Sequence, residues 1–140
     1  MTVEEWEYVF FTRATASGIR FARAQVGGVN GFLLLPDYWS SALYYLNNVN
    51  QAEASYGSNT MTLATFEDLE SNGVVFLPAA GRRNDDEVWD VGSYGWYWSS
   101  SALSERKALS LYFEEDYLGT QSANRSTGCA VRLVYDCPVR

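Results

Sequence analysis

The sequence predicts a single α+β domain built from two short helices and a set of antiparallel strands. A capping box, Thr2-Val-Glu-Glu5, precedes apolar residues spaced with a helical period, and a threonine at 62 or 65 can begin a second helix. Short apolar runs separated by glycine, asparagine and proline are typical of strands joined by tight turns. A chain of 140 residues has room for one hydrophobic core, so we expect one domain over residues 1–140.

The first helix is expected over residues 3–13. In the capping box, the Thr2 hydroxyl accepts from the Glu5 amide and the Glu5 side chain accepts from the Thr2 amide. Trp6, Val9 and Phe10 lie on one helical stripe. We therefore predict that these three side chains face the core.

A β-hairpin is expected next, with strands over residues 20–26 and 31–35. Either Gly27-Gly28 or Asn30-Gly31 can form its turn, because both dipeptides tolerate positive φ. The run at residues 32–35 is apolar without alternation, which indicates a strand covered on both faces. Residues 38–61 follow as an ordered loop region rich in Ser, Asn and Tyr.

The second helix is expected to run to about residue 71, with Phe66 and Leu69 facing inward and Asn72-Gly73 ending it. Residues 74–77 read as a buried strand, and residues 82–87 as a charged loop. Turn glycines follow within residues 89–95.

The last third is expected to hold strands over residues 97–100, 108–113 and 129–135, joined by polar segments at 102–107 and 114–127. In the middle strand, alternation sends Leu111 and Phe113 towards the core. Ser110 and Tyr112 then point away from it. One face of this strand is expected to be offered outward for recognition.

Composition excludes several function classes. A net charge of -7 disfavours nucleic acid and anionic membranes, and no apolar run is long enough for a membrane span. The absence of histidine excludes histidine-based triads and most zinc sites. We expect a protein that is not an enzyme and has no cofactor. The chain start lacks a signal peptide, so an exported protein would carry its targeting segment upstream.

The two cysteines and the acidic runs leave alternatives open. Cys129 and Cys137 flank one predicted strand, so a disulfide between them would need a chain reversal, and unpaired thiols are favoured. The acidic runs at residues 85–90 and 114–116 could supply calcium ligands. They lack the regular spacing of a calcium loop, so we expect solvated loops and no metal site.

A set of short motifs, which follow one another in a characteristic order, covers nearly the whole chain. They are Thr2-Val-Glu-Glu-Trp6, Gly31-Phe-Leu-Leu-Leu-Pro-Asp37, Phe76-Leu-Pro-Ala-Ala-Gly-Arg82, Tyr97-Trp-Ser-Ser-Ser101, Asn124-Arg125 and Gly128-Cys-Ala-Val-Arg-Leu-Val134. In this order the sequence resembles the bacterial Fibrobacter succinogenes major paralogous domain family. The resemblance implies a C-type-lectin-like fold of the formylglycine-generating-enzyme-like type, with two helices and a twisted antiparallel sheet. Family members have more residues before the first helix than this chain does.

The resemblance also implies a function. In related variable proteins of diversity-generating retroelements, loops in the last third are diversified and bind ligands, while Trp98 and residues 131–134 would correspond to scaffold. An oxidase role is disfavoured because Cys129 lies on the terminal strand and is expected to be a small core residue. The positions nominated for binding are Tyr94, Tyr97, Ser104, Glu105, Arg106, Ser110, Tyr112, Glu114, Asp116, Tyr117, Gln121 and Asn124.

These expectations combine into one functional prediction. The chain is expected to be a monomeric recognition domain of a bacterial cell-surface protein that binds a protein or glycan ligand. Tyrosine suits this role because its side chain offers a large contact area and a hydroxyl at small conformational cost. The alternative is a structural or adhesive subunit of a surface assembly, whose aromatic face packs against a neighbouring subunit.

Overall fold

The fold is built around an antiparallel hairpin whose two faces carry separate parts of the core. The computed structural model describes residues 1–135. Across these residues the helices are α1 (Val3–Glu7) and α2 (Leu63–Ser71). The strands are β1 (Phe21–Val26), β2 (Val29–Leu34), β3 (Thr60–Met61), β4 (Val75–Pro78), β5 (Arg82–Asn84), β6 (Glu87–Trp89), β7 (Gly95–Ala102), β8 (Lys107–Glu114) and β9 (Tyr117–Asn124).

The first helix begins as predicted. Thr2 Oγ1 accepts from the Glu5 amide at 3.1 Å, and Glu5 Oε2 accepts from the Thr2 amide at 2.7 Å. The helix continues as a π-helical turn over Tyr8–Thr12, so its second half is wider than an α-helix. Trp6 and Phe10 are fully buried in the core, as predicted, whereas Val9 is only half-buried, within the π-helical turn.

The central hairpin pairs β1 with β2, and the strand order in its sheet is β3-β1-β2-β4. Gly27 and Gly28 form the turn with φ of 55° and 85°, which only glycine adopts readily. This decides between the two turns that the sequence allowed. Phe32 packs into one core cluster and Leu33 into another, so the predicted burial of this strand on both faces is confirmed.

The second helix is also confirmed. Thr62 caps it, with its hydroxyl accepting from the Thr65 amide at 3.1 Å, and Gly73 follows its end at φ 86°. Leu69 is buried and Phe66 half-buried, both on the core face that includes Leu33. The helix thus covers the side of the central sheet that faces away from β8.

Strands β5 and β6 form a two-stranded sheet, and a three-stranded sheet has the order β7-β8-β9 with all its pairs antiparallel. Leu111 and Phe113 of β8 face the first core cluster, together with Trp6, Phe10 and Phe32. The predicted inward direction of these two β8 residues is confirmed. Two helices with mixed sheets make the protein α+β, and none of the described helices is long and apolar enough to cross a membrane.

Three predictions about the last half of the chain are wrong. The charged segment 82–87 is not a loop but forms β5 and the first residue of β6, since Asp85 at φ 53° reverses the chain between them. The polar segment 114–127 contains β9, whose side chains are mostly small and polar because it is an edge strand.

The predicted strand over residues 129–135 does not form. Only isolated bridges occur there, from Gly128 to Arg83 and from Ala130 to Tyr97. The apolar side chains beyond Ala130 are exposed, because no neighbouring strand in the described chain pairs with them. Cys137, and with it the question of a disulfide to Cys129, lies outside the described residues.

Candidate functional site

The candidate site lies on the outer face of the β7-β8-β9 sheet, which faces away from the main core. Trp96 on β7 stands opposite Tyr112 on β8, and their ring centroids are 4.4 Å apart. Both side chains are buried, and with Ala123 of β9 they form a third apolar cluster. The strands therefore present a second, thinner layer of packed side chains on this face.

Three tyrosines meet at one end of this face, and we call them the tyrosine cluster: Tyr94, Tyr112 and Tyr117. The ring centroids of Tyr94 and Tyr112 are 6.0 Å apart, and those of Tyr112 and Tyr117 are 5.7 Å apart. Tyr117 is 40% exposed, Tyr94 is half-buried and Tyr112 is only 6% exposed. The cluster thus has a buried centre in Tyr112 and an open edge in Tyr117.

A glycine makes the position of Tyr117 possible. Gly119 stands opposite Tyr112 in the β8-β9 register, and a Cβ placed on Gly119 would lie 2.5 Å from the Tyr117 hydroxyl. The Tyr117 ring therefore lies across the bare backbone of Gly119 and reaches towards Tyr112. An aromatic ring that covers a glycine in a neighbouring position is a known way of protecting the sheet there.

Carboxylates surround the hydroxyl groups of this cluster. The negative charge of Glu114 is the main cause that raises the pKa of Tyr94, and the charges of Asp90 and Asp116 act in the same direction. Burial raises the pKa of Tyr112, and the negative charge of Glu114, two residues along the same face of β8, adds to the effect. Glu114 is therefore a close neighbour of both hydroxyls, which stay protonated at neutral pH.

The aromatic row continues to β5 on the other side of Trp96. The Arg82 guanidinium carbon lies 4.9 Å from the centre of the Trp96 ring, and Arg82 Nε is 3.7 Å from Asp90 Oδ2. Arg82, Trp96, Tyr112 and Tyr117 thus form a continuous row across four strands. The row ends in an open position at Tyr117.

A buried arginine supports the turn that carries the cluster. Arg23 of β1 is fully buried, and its Nη2 donates to the carbonyls of Glu114 and Tyr117, the latter at 3.3 Å. Its guanidinium carbon lies 4.7 Å from the ring centres of both Phe32 and Tyr56. Because these carbonyls flank the β8-β9 turn, Arg23 fixes the turn from beneath.

The structure places the nominated Tyr97 away from the surface. Tyr97 is 4% exposed, its ring stacks on Phe113 at 6.2 Å between centroids, and its hydroxyl donates to the Pro78 carbonyl at 2.7 Å. Tyr97 pairs with the core-facing Leu111 in the β7-β8 register, so its side chain points towards the core. The prediction that Tyr97 lies on the ligand-binding surface is therefore wrong. Trp98, expected in the scaffold, lies half-buried on the outer face instead.

Ser110 and Tyr112 do lie on the face opposite Leu111, as alternation predicted, but they are not open to solvent. Ser110 is fully buried, and its hydroxyl donates to the Gln121 carbonyl at 3.0 Å. Tyr112 is covered by Trp96 and the other tyrosines. Alternation gives the face of a sheet but not whether aromatic neighbours cover it.

The remaining nominated residues divide into separate places. Glu114 and Asp116 lie beside the tyrosine cluster, and Asp116 is exposed in the β8-β9 turn. Gln121 is exposed in the middle of the edge strand β9. At the far end of the sheet lie the exposed residues Ser104, Glu105, Arg106 and Asn124.

The far group does not join the cluster. Lys107 pairs with Asn124 and Glu114 with Tyr117, so the two ends of β8 are seven residues apart, or about 23 Å. Ser104 accepts from the amides of Arg106 and Lys107, which shapes the β7-β8 turn locally. The role of all these residues in binding stays a prediction.

Three residues of the site were not nominated from the sequence: Trp96, Arg82 and Asp90. Trp96 could have been found from the alternation Tyr94, Trp96, Trp98, which places three aromatic residues at every second position of one segment. Arg82 and Asp90 could not, because the charged sequence of the β5-β6 hairpin, which brings them to Trp96, predicts a loop.

Cys129 and the acidic side chains are the groups to consider for covalent or metal chemistry. Burial raises the pKa of the Cys129 thiol to about 11, so Cys129 is a poor nucleophile at neutral pH. Within residues 1–135 no group of three or more acidic or cysteine side chains is arranged to hold a metal ion. What the site offers is aromatic surface, phenol hydroxyls and carboxylates on a rigid sheet.

These features define the class: an α+β domain with an aromatic, acidic patch on the outer face of a three-stranded sheet. A family model described as "Domain of unknown function (DUF8237)" matches residues 44–134, about two thirds of the chain. The chain belongs to this family. No curated protein and no solved structure matches it. The match includes the whole tyrosine cluster, and the C-type-lectin-like assignment stays a prediction.

Proposed function

We propose that this protein is a non-enzymatic recognition domain that binds a protein or glycan through the tyrosine cluster and its flanking carboxylates. The proposal depends on one observation. The rings of Tyr94, Tyr112 and Tyr117 lie next to one another, beside Glu114, on the face of the β7-β8-β9 sheet that points away from the main core. The resemblance described for the sequence supports display on a bacterial cell surface.

Rigidity supports a binding role for this surface. Tyr112 is held between Trp96 and the other two tyrosines, and Arg23 fixes the adjoining turn through the carbonyls of Glu114 and Tyr117. Side chains held in place before binding lose little conformational entropy when a ligand arrives. Tyr117 is the member that a ligand can reach most directly, because it is the most exposed.

The test compares binding by the parent protein and a Tyr117→Ala variant on protein and glycan arrays. Signals that depend on the cluster are expected to fall by about tenfold, the effect of removing one well-packed aromatic contact. Tyr45→Ala is the matched control, because Tyr45 is 72% exposed and lies in the loop before β3, outside the cluster. If both variants keep every parent signal, the tyrosine cluster is not the recognition surface.

Diversification by a retroelement is part of this proposal and has a separate test. The exposed Asp116 and Tyr117 and the half-buried Glu114 would be varied while the buried Trp96 is kept. A near-identical repeat beside the gene, differing mainly at adenines, is the expected genomic finding. A locus without such a repeat would make this chain an ordinary family member.

A structural or adhesive subunit is the second candidate, and one observation favours it. Val131, Leu133, Val134 and Tyr135 are all exposed, and Leu133 is 86% exposed. Val134 and Tyr135 line a surface groove together with the exposed Tyr8. Exposed apolar residues in one segment are typical of surfaces that associate. Light scattering distinguishes the candidates: a monomer favours recognition, whereas ordered assembly that Leu133→Ser abolishes favours the subunit.

A further inference from the structure

We infer that the tyrosine cluster takes a basic side chain, lysine or arginine, presented by a protein partner. The inference rests on the proposed function and names the chemistry of its ligand. It follows from the charges around the cluster, from the open end of the aromatic row and from the kind of hydrogen-bonding groups left accessible.

The charges around the cluster are negative. Glu114 pairs with Tyr117 in the β8-β9 register, and Asp116 is exposed in the turn between these strands. Asp90 Oδ2 lies 3.7 Å from Arg82 Nε, at the other end of the row. The charges of these carboxylates raise the pKa of Tyr94, in agreement with this placement. The nearby cation Arg82 is already placed between Asp90 and the Trp96 ring. A protein with a net charge of -7 adds a long-range field of the same sign, which steers basic partners towards it.

The aromatic row has an open end where a further cation fits. Inside the protein, Arg82 lies over Trp96 at 4.9 Å and Arg23 lies between Phe32 and Tyr56 at 4.7 Å from each ring centre. Aromatic faces attract cations in this geometry through the ring quadrupole. At the opposite end of the row from Arg82, the exposed face of Tyr117 carries no such cation among the described residues.

The accessible polar groups favour a ligand rich in donors. Trp96 Nε1 and Arg82 Nε have no hydrogen-bond partner within the described chain, but both atoms are buried and cannot reach a ligand. The groups that remain at the surface are carboxylates, which only accept, and phenol hydroxyls. An ammonium or guanidinium group offers three or five donors, whereas a neutral sugar hydroxyl offers one donor and needs donors in return.

The experiment selects a random-peptide display library on the immobilised full chain and removes every clone that also binds the Tyr117→Ala variant. The recovered peptides are expected to be rich in lysine and arginine. A synthetic peptide from this pool should bind on the order of tenfold more weakly when its basic residue is replaced by citrulline or norleucine. Raising the salt concentration should lower the affinity of the basic peptide, because salt screens the attraction between exposed charges.

A second variant separates charge from shape. Glu114→Gln keeps the size of the side chain but removes its charge. It is expected to lower the affinity for the basic peptide by about fivefold. Tyr45→Ala and Glu67→Gln are the matched controls, because both residues are exposed outside the cluster, and neither should change the affinity. Equal melting temperatures of parent and variants show that folding is intact.

The outcomes distinguish the inference from the proposed function. A Tyr117-dependent pool of neutral or acidic peptides overturns the inference and leaves recognition through the cluster in place. A neutral oligosaccharide that binds a glycan array through Tyr117, with no basic peptide recovered, does the same. If neither peptides nor oligosaccharides bind in a way that depends on Tyr117, both the inference and the proposed function fail.

Discussion

Replacing Arg23 with methionine is expected to lower the free energy of unfolding by about 2–4 kcal/mol and to loosen the turn that carries the tyrosine cluster. Arg23 is fully buried on β1, far from the cluster in sequence, yet it bonds the carbonyls on both sides of the β8-β9 turn. Methionine has similar length and no charge, so the substitution removes these bonds while leaving a small cavity.

The magnitude follows from opposing contributions. Arg23 Nε donates to the Ala52 carbonyl at 2.7 Å and Nη2 to the Glu114 carbonyl. Each hydrogen bond from a charged group contributes about 1.5–3 kcal/mol, so the loss of two costs about 3–6 kcal/mol. The third bond, from Nη2 to the Tyr117 carbonyl at 3.3 Å, is long and is not counted. Methionine regains part of the contact with Phe32 and Tyr56, and removing the buried cation relieves part of its desolvation penalty. Together these gains offset about a third of the loss, which leaves about 2–4 kcal/mol. Burial is also the main reason that the pKa of Arg23 is lowered.

The assay is thermal and urea unfolding of Arg23→Met beside Arg106→Met. For a chain of this size, about 3 °C of melting temperature corresponds to 1 kcal/mol, so Arg23→Met should melt about 6–12 °C lower. Arg106 is exposed in the β7-β8 turn, and its replacement should change stability by less than about 0.5 kcal/mol.

Two further results would separate the causes. Arg23→Lys should also destabilise the protein, because one ammonium cannot reproduce the fork that reaches the carbonyls of Ala52 and Glu114 together. Hydrogen exchange at the amides of residues 115–117 should become faster in both variants. If Arg23→Met is as stable as Arg106→Met, the buried guanidinium does not hold the turn and the reasoning is refuted.

Three other substitutions and measurements test separate parts of the structure. Gly95→Ala should destabilise the protein by about 1–3 kcal/mol or more, since a Cβ there would collide with the buried Phe113 ring; a normal urea midpoint would contradict this packing. In a Cys137→Ser variant, Cys129 should react slowly with iodoacetamide at pH 8 and faster as pH rises towards its pKa of about 11, so fast alkylation at pH 8 would show that the thiol is not buried. Thr2→Ala removes the capping box and should cost about 1 kcal/mol in calorimetry; a loss near zero would mean that the first turn is held by packing alone.

Local signals in the sequence were sufficient for the helices and the central hairpin. The capping box at Thr2 and the cap at Thr62 act on the next few residues only, so they are visible without tertiary structure. The burial of Phe32 and Leu33 on opposite faces also followed from an unbroken apolar run. The core-facing side of β8 followed from its period of two.

The candidate site was predicted only in part, and the reason is pairing between distant segments. Strand β9 carries few apolar residues, and its formation depends on its ladder with β8 and not on its own composition. The predicted terminal strand is apolar, but beyond Ala130 it forms no backbone pairing with another strand of the described chain.

The sequence by itself therefore determined the α+β class, the start of the first helix, the presence of the second helix and of the hairpin, and the face on which Ser110 and Tyr112 lie. The structure selected Thr62 over Thr65 as the cap of the second helix and Gly27-Gly28 as the turn of the hairpin. Only the tertiary structure decided that Tyr97 is buried, that Trp96 and Arg82 extend the aromatic row, and that Arg23 supports the turn. Caps, turns and alternation act within a few residues along the chain. Burial and ladder pairing depend on segments that meet only when the chain folds.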